Sequence, residues 1–295
     1  MEGMRAMSRL THGKLAKLGV TTAAVAAITV AGCVSASAAV GKPAAAGKPA
    51  AVGKPAAVGK PAVAGHPAAV AAVAAQAAPA GYTPPKRNLR EGMKGADVKA
   101  LQQRLAGLKY YPGAIDSQFG SATLEAVWAF QEVNHLSVDG VVGPAAKKAL
   151  VHPRTYRARY PKAAGTRVEV NLGMGVLVFF RNHNIALVSH VSTGGHYYYP
   201  CGSGTCFAET PTGKFRALYL VKGWDQGPLG AMFNPVFFNY SGYAIHGEYN
   251  NEVPVKPVSH GCVRIPYDIA TWFYHDLTIS QKPGKGTEVW IYNQW

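Results

Sequence analysis

Apolar residues recur three or four positions apart in two successive segments of the chain. They are Val98, Leu101, Leu105 and Leu108, and then Leu124, Val127 and Phe130. This spacing places each set on one face of a helix, because 3.6 residues complete one helical turn. Pro144 stands where a third short helix should begin. The pattern predicts a small three-helix bundle over residues 87–152.

From Thr166 onward the apolar positions follow a different period. Val168, Val170 and Leu172 alternate with other residues, as in a strand with one buried face. Two apolar runs, 176–180 and 185–191, then flank residues 181–184, which predict a hairpin turn. Short strands separated by glycines continue to Tyr292. We expect a mainly β, sandwich-like domain over residues 166–293, with one helix near 266–274.

The first 38 residues have the layout of an export signal. Four basic residues and one acid precede an apolar run over 18–32, which is short for a membrane-spanning helix. The run ends in Val30-Ala31-Gly32-Cys33, which resembles a bacterial lipobox and predicts lipid attachment at Cys33. Ordinary cleavage after Ala36-Ser37-Ala38 is the alternative. The first interpretation predicts a membrane tether through Cys33, and the second a secreted protein.

Residues 39–86 contain a repeat of period six that begins with GKPAAA at Gly41. Proline removes backbone donors and alanine offers little apolar surface, so this segment cannot form a core of its own. We predict a disordered spacer between the signal and the folded domains.

The formal net charge is +15, of which the first 70 residues contribute +7, leaving +8 for the remainder. No basic helix or repeat of basic and aromatic residues accompanies this charge, so nucleic acid is not expected as a partner. An anionic, polymeric neighbour such as a cell wall would explain the charge, and so would solubility alone.

The strongest chemical signal is Ser259-His260-Gly261-Cys262-Val263-Arg264, with His246 sixteen residues before the cysteine. An imidazole near a thiol can lower the thiol pKa and carry its proton, as nucleophilic acyl chemistry requires. Backbone N–H groups at Gly261 and Cys262 could form an oxyanion hole. A structural cysteine beside a core histidine is the alternative interpretation. A zinc site of His246, His260 and Cys262 is another, although paired ligand spacing and a fourth ligand are missing.

Taken together, these residues resemble the signature of the L,D-transpeptidases, the YkuD-like cysteine enzymes of bacterial cell walls. The resemblance extends through residues 191–194 and 210–215 and covers roughly 166–293. It implies that Cys262 is the nucleophile, that His246 is the proton donor and acceptor, and that His260 shapes the site. It further implies roles in substrate binding for Arg264, Ser259, Gly247 and Tyr243, with Ser259 also supporting the turn.

The helical region resembles the peptidoglycan-binding domain type 1. The resemblance rests on two similar turns, 115–120 and 138–143, and on Leu101-Gln102-Gln103 and Phe130-Gln131. In each turn, aspartate can bond local N–H groups and glycine permits positive φ. The implied partners are peptidoglycan glycan and stem peptides. The whole chain resembles an actinobacterial-type exported or lipoprotein form, located in the cell wall or on the outer face of the cytoplasmic membrane.

Cys201 and Cys206 enclose four residues, two of them glycine. In an exported protein this pair predicts a disulfide rather than a metal pair, and Cys262 is then the free thiol of the folded part. His190 and His196 are expected to be surface or loop residues. Tyr197-Tyr198-Tyr199 would line a peptide groove or cover the sheet.

The resemblance implies an enzyme that forms 3→3 crosslinks between stem peptides through a cysteine acyl-enzyme, without metal or organic cofactor. There are three alternatives, and the last two belong to other classes of function. Water as acceptor would give an L,D-carboxypeptidase at the same site. A non-catalytic wall-binding protein would not need the thiol, and a zinc D,D-peptidase would need metal ligands that the sequence does not supply.

Overall fold

The computed structural model describes residues 81–293 of the 295-residue chain. The predictions for the signal segment, for Cys33 and for residues 39–80 of the spacer concern residues outside this range. Among the described residues, no helix combines the length and the apolar composition needed to cross a membrane.

Three helices form the first folded part, which we call the helical module: α1 (Ala96–Gly107), α2 (Ser121–Val133) and α3 (Pro144–Val151). The apolar positions that predicted them face the interior, and Leu101, Leu105 and Phe130 are at most 1% exposed. Proline at the first position of α3 loses no hydrogen bond, since helical N–H groups there have no intrahelical partner. The predicted three-helix bundle is confirmed.

Two buried glutamines close the turns that follow α1 and α2. Gln102 donates to Asp116 Oδ1 at 2.9 Å and accepts the Ser117 N–H at 3.0 Å. Gln131 donates to Asp139 Oδ1 at 2.6 Å and accepts the Gly140 N–H at 3.0 Å. The similar turns seen in the sequence are therefore closed by the same glutamine–aspartate arrangement, and both arrangements lie within the helical module.

The second part is mainly β, as predicted. Its strands are β1 (Arg167–Asn171), β2 (Val176–Arg181), β3 (Asn184–His190), β4 (Tyr198–Cys201), β5 (Gly204–Phe207), β6 (Gly213–Arg216), β7 (Tyr219–Leu220), β8 (Trp224–Gly227), β9 (Gly230–Phe237), β10 (Ala244–Gly247), β11 (Val263–Ile265) and β12 (Glu288–Tyr292). One sheet has the order β3-β2-β1-β12-β6. A second has the order β11-β10-β9-β7 with β8 beside β9, and β4 and β5 form a separate hairpin.

The two larger sheets pack face to face. Apolar side chains of β1, β2 and β12 share one buried cluster with those of β9, β10 and β11. The predicted hairpin is confirmed, with Asn182 and His183 at positive φ between β2 and β3. The single helix expected near 266–274 is instead two short pieces, α4 (Tyr267–Ala270) and a 3₁₀ turn (Phe273–Asp276).

The apolar run in β2 is buried on both of its faces. Leu177 and Phe179 belong to the core between the sheets, whereas Val176, Val178 and Phe180 belong to the core of the helical module. Because successive side chains of a strand point to opposite faces, a continuous apolar run is expected where both faces are covered. The helical module is thus packed directly on the first sheet.

Candidate active site

Strands β10 and β11 bring the two key positions of the motif together. They are parallel neighbours, with His246 opposite Arg264, and Cys262 immediately precedes β11. Parallel neighbours require a crossover connection, which here is formed by residues 248–262. His246, His260 and Cys262 therefore line one cleft of about 380 Å³, which we call the active-site cleft.

The imidazole of His246 has a defined orientation. Its Nδ1 lies 3.1 Å from the Gly247 carbonyl oxygen. Since a carbonyl can only accept, Nδ1 carries the proton and Nε2 presents its lone pair. Burial lowers the pKa of His246 to about 4, the Gly247 hydrogen bond opposes that shift, and the Arg264 charge adds to it. The imidazole is therefore neutral at neutral pH and has the form of a base.

Cys262 is the free cysteine of residues 81–293 and is partly buried. Burial raises the pKa of its thiol, while a backbone hydrogen bond from Ala244 and the positive charge of Arg264 act in the opposite direction. Burial therefore keeps both His246 and Cys262 in their uncharged forms. The expected lowering of the thiol pKa by imidazole is not found, because both groups lose solvation.

Two buried hydroxyl groups hold the turn that carries Cys262. Ser259 Oγ donates to the Cys262 carbonyl at 2.6 Å and accepts the Gly261 N–H at 3.0 Å. Thr210 Oγ1 donates to the Gly261 carbonyl at 2.9 Å and accepts the Gly194 N–H at 2.9 Å. The backbone at residues 259–262 is thus fixed by side chains from two separate segments.

These contacts bear on two of the expected roles. The N–H of Gly261 already donates to Ser259 Oγ, so it does not support the oxyanion role expected for it. Ser259 is 1% exposed and its hydroxyl is used within the turn, so it supports the turn as expected. Its role in substrate binding stays a prediction. Glycine is required at 261 because φ is 137° and a Cβ there would lie 2.6 Å from the Glu209 carbonyl oxygen.

Gly247 and Tyr243 both make close packing contacts near the active-site cleft. A Cβ on Gly247 would lie 2.6 Å from the Ala270 Cβ, so this glycine permits close packing against α4, and its role in substrate binding stays a prediction. The ring of Tyr243 covers the α-carbon of Gly261. Burial comes first among the effects that raise the Tyr243 pKa, and the nearby Tyr199, Cys262 and Glu209 add to it.

Arg264 lies in the cleft and forms an ion pair with Glu248, with 3.0 Å between Nε and Oε2. Sequence reasoning assigned no role to Glu248. The spacing along the strand could have indicated this position. Residues two positions apart share a face, so Glu248 lies on the same side as His246. Within residues 81–293, no group of three or more His, Cys, Asp or Glu side chains could hold a metal ion.

Two hairpins border the active-site cleft, and sequence reasoning identified only part of one. The β8–β9 hairpin contributes Pro228, Leu229 and Met232 to the cleft lining, and Leu229 is 49% exposed. The β4–β5 hairpin places Tyr199 against His260, with 4.4 Å between ring centroids. His260 is thus held by aromatic contacts at the edge of the site.

The β4–β5 hairpin contains the Cys201–Cys206 disulfide, whose Cα atoms are 5.8 Å apart. His190 contradicts its expected surface position. It is 0% exposed and its Nδ1 lies 2.7 Å from Glu132 Oε1 of the helical module. Sequence reasoning missed this contact because Glu132 is 58 positions away along the chain.

Comparison with known proteins agrees with this fold. The family model for the YkuD L,D-transpeptidase catalytic domain matches residues 165–291, and that for a putative peptidoglycan-binding domain matches residues 94–150. The chain is also similar to the crystal structure of an L,D-transpeptidase from Xylanimonas cellulosilytica DSM 15894, with 34% identity and a TM-score of 0.62. That match covers 71% of this chain and 100% of the other. The chain belongs to the L,D-transpeptidase family.

Curated relatives match over smaller parts of their length. A zinc D-Ala-D-Ala carboxypeptidase from Streptomyces albus G is 50% identical over 62 residues, which are 19% of this chain and 23% of that protein. A spore cortex-lytic enzyme from Oceanobacillus iheyensis is 27% identical over 160 residues, or 54% of this chain and 53% of that protein. The chain thus spans from about a quarter to about half of these two relatives.

Proposed function

We propose that the protein is a peptidoglycan L,D-transpeptidase that forms 3→3 crosslinks through an acyl-enzyme on Cys262. The observation that carries the proposal is the meeting of Cys262 and His246 in one cleft, with the lone pair of His246 Nε2 available as a base. Membership of the L,D-transpeptidase family supports it. The substrate class is a stem tetrapeptide that ends in D-alanine.

In the first half-reaction, Cys262 Sγ attacks the carbonyl carbon between the L-centre of the third stem residue and the terminal D-alanine. His246 Nε2 accepts the thiol proton as the sulfur–carbon bond forms, because the free pair is a neutral thiol and a neutral imidazole. The resulting imidazolium then protonates the nitrogen of D-alanine as the carbon–nitrogen bond breaks. The products are a thioester on Cys262 and free D-alanine.

In the second half-reaction, a side-chain amine of a neighbouring stem attacks the thioester carbonyl. Neutral His246 accepts a proton from this amine and returns it to the departing Cys262 sulfur, which restores the starting enzyme. Arg264 is a fixed positive charge in the cleft, held by Glu248, and we assign it to binding the carboxylate of a stem peptide.

We extend the proposal to the domains and the location. Residues 87–152 would bind peptidoglycan, residues 166–293 would carry the reaction, and the anionic wall would be the partner of the basic chain. The protein would act outside the cytoplasm, either secreted or anchored through Cys33. The peptidoglycan-binding family match over 94–150 supports the assignment of the helical module.

The test is incubation of the purified protein with a disaccharide–tetrapeptide, followed by mass spectrometry of the products. We expect 3→3 dimers and free D-alanine, and neither product with Cys262→Ala. A double variant, Cys201→Ser with Cys206→Ser, is the matched control and should keep the crosslinking activity. Tripeptide monomers without dimers would indicate an L,D-carboxypeptidase. Undiminished dimers from Cys262→Ala would contradict the proposal.

A further inference from the structure

Three titratable side chains are buried where the helical module meets the mainly β part of residues 166–293, which we call the catalytic part. The proposed reaction uses none of them. Glu125 and Glu132 belong to α2 and are 3% and 8% exposed, and His190 ends β3 and is 0% exposed. A buried carboxylate loses its hydration, so a group of this kind is not expected where packing alone is required.

Glu125 and His190 contact the same short stretch of backbone. Glu125 Oε1 accepts the Val253 N–H at 2.7 Å, and Val253 is itself buried. His190 Nε2 lies 3.3 Å from the Pro254 carbonyl oxygen, while its Nδ1 contacts Glu132 at 2.7 Å. Consecutive backbone groups at 253 and 254 are thus held by side chains from α2 and β3.

The pKa shifts of His190 and Glu125 agree with the hydrogen bonds at this contact. The pKa of His190 is raised: burial acts to lower it, but the carboxylates of Glu132 and Glu125 and the Pro254 carbonyl outweigh burial. Burial raises the pKa of Glu125 to about 8, with His190 and the Val253 N–H opposing the shift and Glu132 and Glu252 adding to it. Glu125 has an oxygen that can accept the Val253 N–H in either protonation state.

Residues 253 and 254 lead directly into residues 259–262, the turn that carries Cys262, which we call the catalytic turn. Beyond Pro254, the Lys256 carbonyl accepts a hydrogen bond from Ser192 Oγ at 2.8 Å, and the Ser259 N–H donates to the Thr193 carbonyl at 2.9 Å. Residues 253–259 therefore lie along the segment that follows β3. The hydrogen bond between Glu125 and the Val253 N–H anchors residues 253–259 to the helical module.

The burial of Glu125 is not explained by stability alone. Its second oxygen, Oε2, is buried without a hydrogen-bond partner among the described residues. Removing the side chain would leave the buried Val253 N–H without its acceptor, and a buried N–H without a partner is strongly disfavoured. The segment would then move to find another partner, and the turn at 259–262 would move with it.

We propose that Glu125 is a positioning residue for the active site: it fixes residues 253–258 from the helical module, with the His190–Glu132 pair as the second anchor. The helical module is on this account part of the active-site scaffold as well as the proposed wall-binding unit. The inference rests on the proposed function, because it requires Cys262 to be the reacting thiol.

The test compares Glu125→Ala with Glu125→Gln in the purified protein. We expect Glu125→Ala to slow acylation of Cys262 by a tetrapeptide donor about 10- to 100-fold through kcat rather than KM, because displacement of a reacting group by about 1 Å has effects of this size. Glu125→Gln keeps an acceptor oxygen and should restore most of the rate. If Glu125→Ala does not fold, Glu125→Asp carries the same prediction, because its shorter side chain withdraws the acceptor.

Gln131→Ala is the matched control, because Gln131 is buried on the same helix but bonds only within the helical module. It should leave the acylation rate unchanged. A second readout is hydrogen exchange at the Val253 amide, which should become faster in Glu125→Ala and remain slow in Glu125→Gln and Gln131→Ala.

A wild-type acylation rate in folded Glu125→Ala, or equal slowing by Gln131→Ala, would overturn the inference. Unchanged exchange at Val253 in Glu125→Ala would also overturn it. If wild-type protein fails to acylate at all, the proposed function fails instead, and the exchange comparison together with the rate of Cys262 alkylation by iodoacetamide still decides whether Glu125 positions the segment.

Discussion

The turns of the helical module and the turn that carries Cys262 are both held by buried polar side chains, but over very different distances along the chain. Gln131 bonds Asp139 eight positions away, and Gln102 bonds Asp116 fourteen positions away. Thr210, in contrast, bonds the carbonyl of Gly261 across 51 positions. The module turns close on local sequence, whereas the turn that carries Cys262 is held by Thr210, which is distant along the chain.

This difference predicts that substitutions in the two kinds of turn affect different properties of the protein. A substitution in a module turn removes local hydrogen bonds and should lower the free energy of unfolding without moving Cys262. A substitution in the residues around the catalytic turn should affect the rate first, because small displacements of reacting groups have large kinetic effects. Each prediction below tests one side of this separation.

The largest effect is expected for His246→Gln. Loss of the base should lower the acylation rate about 100- to 10,000-fold, the range typical of a general acid–base group. His260→Gln is the comparison, and its effect should be much smaller, since His260 contacts Tyr197 and Tyr199 at the edge of the site. Single-turnover kinetics with a tetrapeptide donor measures both rates, and a larger effect at His260 would reverse the assignment of the base.

A smaller effect is expected for Thr210→Val, which keeps the shape of the side chain and removes its hydroxyl. The Gly261 carbonyl and the Gly194 N–H would lose their shared partner, so acylation should slow about tenfold or more. The free energy of unfolding should fall by about 1–3 kcal/mol. Thr212→Val, at an exposed position two residues along the chain, should change neither quantity. Equal acylation rates in the two variants would refute the proposed support of the turn.

The pH dependence of acylation should show a limb near pH 4. Burial lowers the pKa of His246 to about 4, so the base is present above that pH and is lost as the pH falls through it. The rate should therefore be nearly constant between pH 5 and 7 and fall by half near pH 4, as for loss of a single base. A limb between pH 6 and 7 would instead indicate a thiolate–imidazolium pair in the free enzyme.

The smallest effect on activity is expected for Gln102→Leu. This change leaves the Ser117 N–H without its acceptor and removes the Gln102 hydrogen bond to Asp116, so the free energy of unfolding should fall by about 2–3 kcal/mol. Denaturant titration measures this loss, and the acylation rate of the folded variant should equal that of wild type. A large loss of rate would show that the module turns and the active site are not independent.

Local patterns predicted much of the fold. Helical spacing identified the three helices, and alternating residues identified the strands, because each pattern reflects the face that a single element buries. The continuous apolar run of β2 predicted a strand but not the reason for its composition. That reason is burial against the second sheet on one face and the helical module on the other.

The motif also identified the centre of the site, but its surroundings depend on contacts that no local pattern contains. Glu125, His190 and Thr210 act across long sequence separations, so their partners could not be assigned from spacing. The protonation states were also missed, because they follow from burial in the folded protein. Glu248 is the exception, since it follows His246 at strand spacing.

The central claim is that Cys262 carries the acyl group, and mass spectrometry of the trapped intermediate tests it most directly. Wild-type protein would be mixed with a defined tetrapeptide donor in the absence of an acceptor, quenched in acid and digested. We predict that the peptide containing Cys262 gains the mass of the donor without its terminal D-alanine, and that free D-alanine appears in equal amount. An adduct on another residue, or D-alanine release that persists in Cys262→Ala, would contradict the account.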